Sequence, residues 1–526
     1  MPLPPYLPWS CPARHVYQDA IRTAGGIAPL VALLRADSES MAAQKAAGAL
    51  ANLASNSINK DAIRHEGGIA PLVALLRAPS AQRAEQQGGG GGGCSDGNGP
   101  LHHVASGPSE AAQHAAAVLA NLASNSINKD AIREAGGISA LVALLRGQHG
   151  PAPMAAQQVA GALANLAANN TPNQDAVREA GGIPPLIALL EHRPAAGTSH
   201  DAAQQAAGTL WNLAANNTPN QDAIREAGGI PPLIALLHLG VASPASQKAA
   251  GALANLAAGT PNQDAIREAG ALPRLVALLQ GGAASEAAQQ AAGALRNLAA
   301  NNSINKDAIR EAGGIPPLVF LLQAGAASLS AQKAAGALRN LAANNTPNQD
   351  LIREAGAIPP LISLLHAGHA SVAAQEAAAA LANLAASNSA NKDAIREAGA
   401  IGPLIALLQA GASVEVSQHA AAALANLLSG IAPFLALLNQ VGTHSTPSSH
   451  APQRLAAQLT RPAAARSPAH MPRSDSHPTP SPPMPRPGHA LDSHCPPPHR
   501  PPCPLLSLTV PYCPCSSLVQ AARGRP

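Results

Sequence analysis

One block of sequence recurs nine times along this chain of 526 residues. Its fullest copies join N-Q-D-A-I-R-E-A-G-G-I-P-P-L-I-A-L-L to A-A-G-A-L-A-N-L-A-A. The Asn of the closing part lies at Asn52, Asn121, Asn165, Asn212, Asn255, Asn297, Asn340, Asn383 and Asn426. Six of the eight intervals between them span 42–44 residues, and the other two span 47 and 69. This period predicts small units that cannot bury their apolar faces alone and stack into one continuous core.

The composition favours such a stack over an enzyme. Aromatic residues make up only 1% of the chain, so Ala, Leu and Ile supply most of the apolar surface. Closely packed, Ala-rich helices suit this composition, whereas a pocket lined by aromatic rings does not. Neither a Ser/His/Asp or Cys/His arrangement nor a pair of carboxylates stands out. We therefore expect no catalysis, no metal site and no cofactor.

The charges are distributed unevenly along the chain. Residues 1–438 carry 25 Lys/Arg against 27 Asp/Glu, whereas residues 439–526 carry 8 Arg against 2 Asp. Binding to phosphates requires a basic stripe, which the nearly neutral repeats do not have. This charge pattern argues against nucleic acid as the main ligand and favours other proteins as partners.

Cysteine usage and hydropathy indicate the compartment. All six cysteines lie outside the repeated blocks, which indicates a fold without a disulfide framework in a reducing compartment. The first residues show neither the charged start nor the apolar core of a secretion signal. No stretch reaches the ~18 apolar residues that a membrane span needs. We expect a cytoplasmic or nuclear monomer that does not insert into a membrane.

Residues 171–215 illustrate the local structure that one unit predicts. A first helix is expected to start with Thr171 as its N-cap, with Gln174 reaching back as in a capping box. The pair Gly181-Gly182 is expected to end this helix, because glycine readily adopts the left-handed conformation of a helix C-terminus.

Two further helices are expected in the same unit. The apolar run 183–190, which opens with Ile-Pro-Pro, predicts a buried second helix. Residues 202–215 place Ala and Leu at helical spacing and predict a third helix.

Three helices in about 43 residues, with a Gly-Gly turn after the first, resemble the armadillo repeat. HEAT repeats are similar in length but normally lack the short first helix. The resemblance implies an all-α, right-handed superhelical α-solenoid of nine to ten armadillo repeats over residues 15–438. Residues 1–14 are then a disordered leader, and the Pro/His/Ser-rich residues 439–526 are a disordered tail. The longest insertion, residues 78–109, falls between a second and a third helix, and residues 430–438 resemble a second helix without a first one.

The recurring Asn is the main candidate for binding. In the armadillo family, third helices line a concave groove, and an Asn at this place hydrogen-bonds the backbone of an extended peptide. An Asn side chain offers both a donor and an acceptor, so it can pair with a peptide of any sequence. The alternative is that the Asn side chains cap or bridge neighbouring helices.

Further candidates lie near the Asn residues. A Gln stands eight residues before each Asn, on nearly the same helix face. These side chains either flank the groove or bond between helices, and we single out Gln204, Gln247, Gln289 and Gln332. The residue directly before the Asn differs from Ala at Trp211, Arg296 and Arg339. The two Arg residues could recognise acidic or aromatic ligand residues, whereas Trp211 either anchors a peptide or fills a packing gap.

Three functions are compatible with this resemblance. The leading one is a non-catalytic scaffold or adaptor that binds extended segments of other proteins, similar to armadillo proteins of plants and algae and to vacuolar adaptors. An alternative is the substrate-binding component of a ubiquitin ligase, because U-box ligases carry similar arrays, although too few residues precede the first unit for a U-box. A nuclear transport receptor is less favoured. Importin-alpha carries Trp four residues before the groove Asn, where this chain has only Gly or Ala, and no importin-beta-binding segment leads the chain.

Overall fold

A computed structural model describes the following residues of the chain: 12–36, 40–77, 110–147, 153–191, 200–409 and 414–429. These residues form 27 α-helices, which group into nine consecutive units of three. The predicted insertion 78–109, residues 430–438 and the predicted tail lie outside the described residues. The first helix begins at Pro12, three residues before the predicted start of the solenoid.

The helices of each unit follow one order. The first helices are α1 (Pro12–Thr23), α4 (Ser57–His65), α7 (Ser126–Glu134), α10 (Thr171–Glu179), α13 (Thr218–Glu226), α16 (Thr260–Glu268), α19 (Ser303–Glu311), α22 (Thr346–Glu354) and α25 (Ser389–Glu397). The second helices are α2 (Ile27–Ala36), α5 (Ile69–Arg77), α8 (Gly137–Leu145), α11 (Ile183–Glu191), α14 (Ile230–Leu236), α17 (Leu272–Leu279), α20 (Ile315–Leu322), α23 (Ile358–Leu365) and α26 (Ile401–Gln409). The third helices are α3 (Met41–Leu53), α6 (Glu110–Leu122), α9 (Pro153–Ala167), α12 (Asp201–Ala214), α15 (Pro244–Leu256), α18 (Glu286–Leu298), α21 (Leu329–Ala342), α24 (Val372–Ala385) and α27 (Val414–Leu428). A short 3₁₀ turn, Leu237–Leu239, follows α14.

The start of the first helix differs from the prediction. Asn170, not Thr171, is the N-cap, and its side chain accepts a hydrogen bond from the backbone N–H of Asn173 at 3.0 Å. Asn caps a helix as well as Thr does, and Asn170 also donates to Asp130 of the preceding unit at 3.1 Å. The predicted capping box is wrong as well, because Gln174 donates instead to the backbone oxygen of Asn212, on the third helix of the same unit, at 2.9 Å.

The Gly-Gly turn ends the first helix as predicted. Gly181 has a φ of +68°, a backbone conformation that glycine adopts without a steric penalty. The second position of the turn is less restricted, because units 6, 8 and 9 carry Ala271, Ala357 and Ala400 there. In unit 4, however, Gly182 is tightly enclosed. A Cβ atom at this position would lie 2.8 Å from Cγ1 of Val177 and 3.0 Å from Cγ2 of Val142 in the preceding unit. The second glycine of unit 4 therefore allows close contact with its own first helix and with the preceding unit.

One continuous apolar core runs through all nine units, from Ile27 to Ala423. It is built mainly from the second and third helices, and each third helix packs along the third helices of the neighbouring units. Leu210 and Leu253 are completely buried in this layer. Stacked helical units of this kind, without a strand among the described residues, form the expected α-solenoid. None of the described helices combines the length and the apolar character that crossing a membrane requires.

The stack of described units ends at unit 9. Ile405 and Leu408 on α26 are exposed, whereas the corresponding Ile362 and Leu365 of unit 8 are buried by the unit that follows.

A row of polar contacts also links the first helices of successive units. Nδ2 of the N-cap Asn217 donates to Oδ1 of Asp175 in the preceding unit at 3.1 Å. Arg178 of unit 4 donates to Oδ1 of Asn220 in unit 5 at 2.7 Å. The Asp and the Arg of this first helix therefore join neighbouring units.

Replacing Asp175 and Asp307 by Asn is expected to make the fold less sensitive to acid. Hydrogen bonds from Asn217 and Asn345, respectively, are the largest cause that lowers the pKa of these two carboxyl groups below 3.8. Because the folded carboxyls hold their protons less tightly than the unfolded ones, they stabilise the fold above pH 3.8, and this contribution is lost as the pH falls through their folded pKa values. Thermal unfolding measured at pH values from about 6 down to about 2 tests this dependence.

The control for this experiment is Asp393→Asn, on the last described first helix, where the carboxylate is exposed. The double variant should lose less stability on acidification than the wild type and the control do. Equal losses in all three proteins would contradict the assigned role of the two carboxylates.

Candidate peptide-binding surface

The predicted site residues lie together on one layer of the fold. All of them belong to third helices, and these helices pack side by side. We call this layer the third-helix surface and define it by four positions in each unit: the Asn, and the residues one, four and seven places before it. The Asn, the residues one and seven places before it, and the Gln eight places before it are at least partly exposed in most units, whereas the position four places before the Asn is buried in five of the nine.

The Asn residues brace neighbouring third helices. In eight of the nine units, Nδ2 of the Asn donates to the backbone oxygen of the residue that precedes the Asn of the previous unit. For example, Asn255 donates to Trp211 at 2.9 Å and Asn297 donates to Ala254 at 2.7 Å. The bridging alternative raised by the sequence therefore describes a real contact of these side chains.

Bracing uses only part of the hydrogen-bonding capacity of each Asn. A primary amide has a second N–H and an acceptor oxygen in addition to the bond already made. Asn52 and Asn165 are exposed, and the other seven Asn residues are half-buried. At Asn340 the oxygen accepts a hydrogen bond from Nε of Arg339 at 3.2 Å. The Asn row therefore combines a structural contact with polar groups at the surface.

Two of the Gln residues that stand eight places before the Asn also form hydrogen bonds between units. Gln247 donates to the carboxylate of Glu286, which opens the third helix of the next unit, and Gln44 donates to Glu110 in the same way. Gln204, Gln289 and Gln332 are half-buried on the third-helix surface.

Small residues four places before the Asn leave room for the side chains of the adjacent units. Trp211 of unit 4 packs against Gly251 of unit 5, where a Cβ atom would lie 2.8 Å from the ring. Nζ of Lys248 lies 4.9 Å from the centroid of the same ring. The Trp211 ring thus fills a gap beside a glycine, as one of the two alternatives predicts, and it remains partly exposed at the surface.

Arg296 and Arg339 converge on a residue that the sequence analysis missed. Nη2 of Arg296 lies 3.2 Å from Oε1 of Glu376, and Nη1 of Arg339 lies 2.7 Å from Oε2. The Glu376 side chain is only 4% exposed. Glu376 stands seven residues before Asn383, and the same position holds no other acid in the nine units. This single acidic residue at a repeated position was the feature of the sequence that could have identified Glu376.

Two further titratable groups lie close to these ion pairs. Burial, followed by the positive charge of Arg296, lowers the pKa of Lys333 to about 8. Nζ of Lys333 donates to Oε1 of Gln290 at 3.1 Å. Burial, and then the charge of Arg339, also lower the pKa of His419, while Glu376 and Glu415 act in the opposite direction.

Within the described ranges, no group of three or more His, Cys, Asp or Glu residues could hold a metal ion.

Comparison with known proteins identifies the repeat. The family described as Armadillo/beta-catenin-like repeat matches residues 16–55, 125–168, 170–215, 217–258, 259–300, 302–343, 345–386 and 388–429. The second unit is not among the matched segments, although its three helices are present on either side of residues 78–109.

A solved structure supports the same assignment. The crystal structure of an engineered protein has 34% sequence identity to this chain and a TM-score of 0.63. The match covers 78% of this chain and 90% of the engineered protein. No curated protein matches the chain. The eight matched segments extend over most of the chain, so this protein belongs to the armadillo/beta-catenin-like repeat family.

Proposed function

We propose that this protein is a non-catalytic scaffold, acting as a monomer, that binds extended segments of other proteins along its third-helix surface. The observation that carries the proposal is the row of nine Asn side chains, which keep polar atoms at the surface of successive third helices. Units that stack at roughly 10 Å match an extended peptide, which advances by ~3.3 Å per residue. The Asn side chains can therefore meet a bound strand every two or three residues.

Several Asn residues must act together for such binding to be useful. A single hydrogen bond contributes only about 0.5–1.5 kcal/mol, whereas association costs at least ~4 kcal/mol. The Asn side chains are already positioned by their hydrogen bonds to the third helix of the previous unit. This positioning supports the proposal, because groups fixed before binding lose less freedom when the ligand arrives.

Basic nuclear signals do not fit this surface well. The position four residues before each Asn is Gly or Ala, so it offers no aromatic ring for a Lys side chain. Arg296 and Arg339 add positive charge to the same surface. The scaffold function is therefore favoured over that of a nuclear transport receptor.

Replacing Asn255, Asn297 and Asn340 together by Ala is expected to abolish the binding of peptides. The experiment is the selection of a displayed library of random short peptides on the wild-type chain, followed by affinity measurements of the selected peptides on the triple variant. Each substitution also removes one bond between helices, so we expect a lower melting temperature with retained helical content. Circular dichroism establishes the temperature range in which the variant is folded and binding is measured.

The control variant replaces Asn169, Asn216 and Asn301 by Gly. These exposed residues have φ values of +52° to +53° in the turns after third helices, so Gly fits their conformation. The control should keep wild-type affinity. If the folded triple Ala variant bound the selected peptides as tightly as the wild type, the Asn row would be structural and the proposed function would be wrong.

A further inference from the structure

Four charged side chains from three successive units meet on the third-helix surface. Arg296 lies on α18, Lys333 and Arg339 lie on α21, and Glu376 lies on α24. We call the three cations the basic cluster. Arg296 reaches Glu376, two units further along, by crossing Gly336, where a Cβ atom would lie 2.9 Å from Cδ of Arg296 and 3.3 Å from Cδ of Glu376. The glycine therefore makes this convergence possible.

The charges of this group are not balanced. Glu376 is the one carboxylate paired with two guanidinium groups, and the ammonium group of Lys333 lies on the same surface. Burial, and then the charge of Arg296, lower the pKa of Lys333. His419, whose pKa is also lowered, adds no positive charge near neutral pH. An additional anion would neutralise part of this excess positive charge.

The basic cluster is accessible, whereas its internal carboxylate is not. The side chains of Arg296 and Arg339 are 35% and 24% exposed, against 4% for Glu376. A guanidinium group has five N–H donors, so the contacts with Glu376 leave donors for a second acceptor. Asn297 and Asn340 directly follow the two Arg residues in the sequence, which places these donors beside the proposed peptide path.

Stacking of the units does not require these charges. Six of the other seven units carry Ala at the position of Arg296 and Arg339, and the remaining one carries Trp211. All nine units nevertheless share the same core and the same arrangement of helices. The charges are thus additions to a stack that holds together elsewhere without them.

We propose that the basic cluster binds an acidic side chain of a peptide segment that crosses α18 and α21. The proposal rests on the proposed function, because the Asn row must hold the peptide backbone. The incoming carboxylate would accept hydrogen bonds from the exposed faces of Arg296 and Arg339, and it would supply the negative charge that Glu376 alone does not provide. Glu376 contacts both guanidinium groups from the buried side of the surface.

The test begins with peptides selected from the random library on the wild-type chain. The selected peptides should share an Asp or Glu at one position. Changing that residue to Asn or Gln in the peptide should weaken binding about 10-fold or more, because hydrogen bonds between charged groups are among the strongest in proteins. The double variant Arg296→Gln/Arg339→Gln should bind the acidic peptide as weakly as the wild type binds the neutral one.

Two further variants separate recognition from structural support. Arg274→Gln removes a positive charge from a second helix, α17, and should leave the affinity unchanged. Glu376→Gln removes the internal carboxylate, raises the local positive charge and should tighten binding of the acidic peptide. If the ion pairs served only to hold the units together, Glu376→Gln would leave binding unchanged or weaken it.

The outcomes distinguish this inference from the proposed function. If the selected peptides lost binding to the triple Asn variant but showed no preference for an acidic residue, the scaffold function would stand and the acidic site would be rejected. If the random library yielded no binding peptide, both would be rejected. The Glu-to-Gln change in the peptide decides the question on the wild-type protein, so the test does not depend on the folding of an Arg variant. A phosphorylated Ser at the same peptide position tells whether the cluster accepts any anionic side chain or prefers a carboxylate.

Discussion

Leu253→Ala should lower the free energy of unfolding by about 2–5 kcal/mol, the usual cost of leaving a cavity at a buried leucine. Leu253 lies on α15 in the fifth of nine units and is completely buried. Each unit of a solenoid is stabilised mainly by its direct neighbours, so damage in the middle also weakens the coupling between the two ends. We therefore expect the unfolding curve to broaden or to split into two transitions.

Urea unfolding followed by circular dichroism measures both effects. The control is Leu329→Ala, on the third helix of unit 7, where the leucine is 44% exposed and its loss should change stability by no more than about 0.5 kcal/mol. If Leu253→Ala gave one transition at the wild-type midpoint, the nine units would not depend on a continuous core.

Gly182→Ala should destabilise the protein by about 1–3 kcal/mol through overpacking. The added methyl group would lie 3.0 Å from the backbone oxygen of Val177, in addition to its contacts with the side chains of Val177 and Val142. Val142 belongs to unit 3, whereas Val177 and Gly182 belong to unit 4, so the clash lies both within unit 4 and between the two units. Thermal unfolding of the purified variant measures the loss.

Gly402→Ala provides the matched control. Gly402 lies in α26, and a Cβ atom there would have no neighbour within 4 Å. Alanine favours helix more than glycine does, so this variant should be more stable than the wild type by roughly 0.5 kcal/mol. Opposite signs for the two substitutions would show that the close contacts with Val177 and Val142 disfavour a side chain at Gly182. A Gly182→Ala variant that is as stable as the wild type would contradict the close packing described here.

Most of the fold could be predicted from the sequence because every unit repeats the same local signals. The second helix opens at Ile183 as expected, and the Gly-Gly turn ends the first helix. The N-cap could not be decided locally, since Asn170 and Thr171 are adjacent and both are good caps. The contact that favours Asn170 comes from Asp130 of the preceding unit, which the sequence of one unit does not contain.

The site was predictable to a lesser degree. Regular spacing correctly placed the Asn and Gln residues on one layer, because residues eight apart share a helix face. The hydrogen bond from an Asn to the third helix of the previous unit could not be derived from the sequence, since it depends on the distance between units. The ion pair between Arg296 and Glu376 could not be derived either, because the two residues lie two units apart in the sequence. They meet across Gly336, which has no side chain to separate them.

Trp211 gives this protein a built-in optical reporter. Its indole ring lies half-buried on the third-helix surface, beneath the ammonium group of Lys248 and beside the proposed peptide path. The chain has only one other tryptophan, Trp9, so a Trp9→Phe variant would emit from this single position. A ligand that covers the ring or displaces Lys248 would shift the emission maximum. Occupancy of the third-helix surface could then be followed by fluorescence in real time, without attaching a dye.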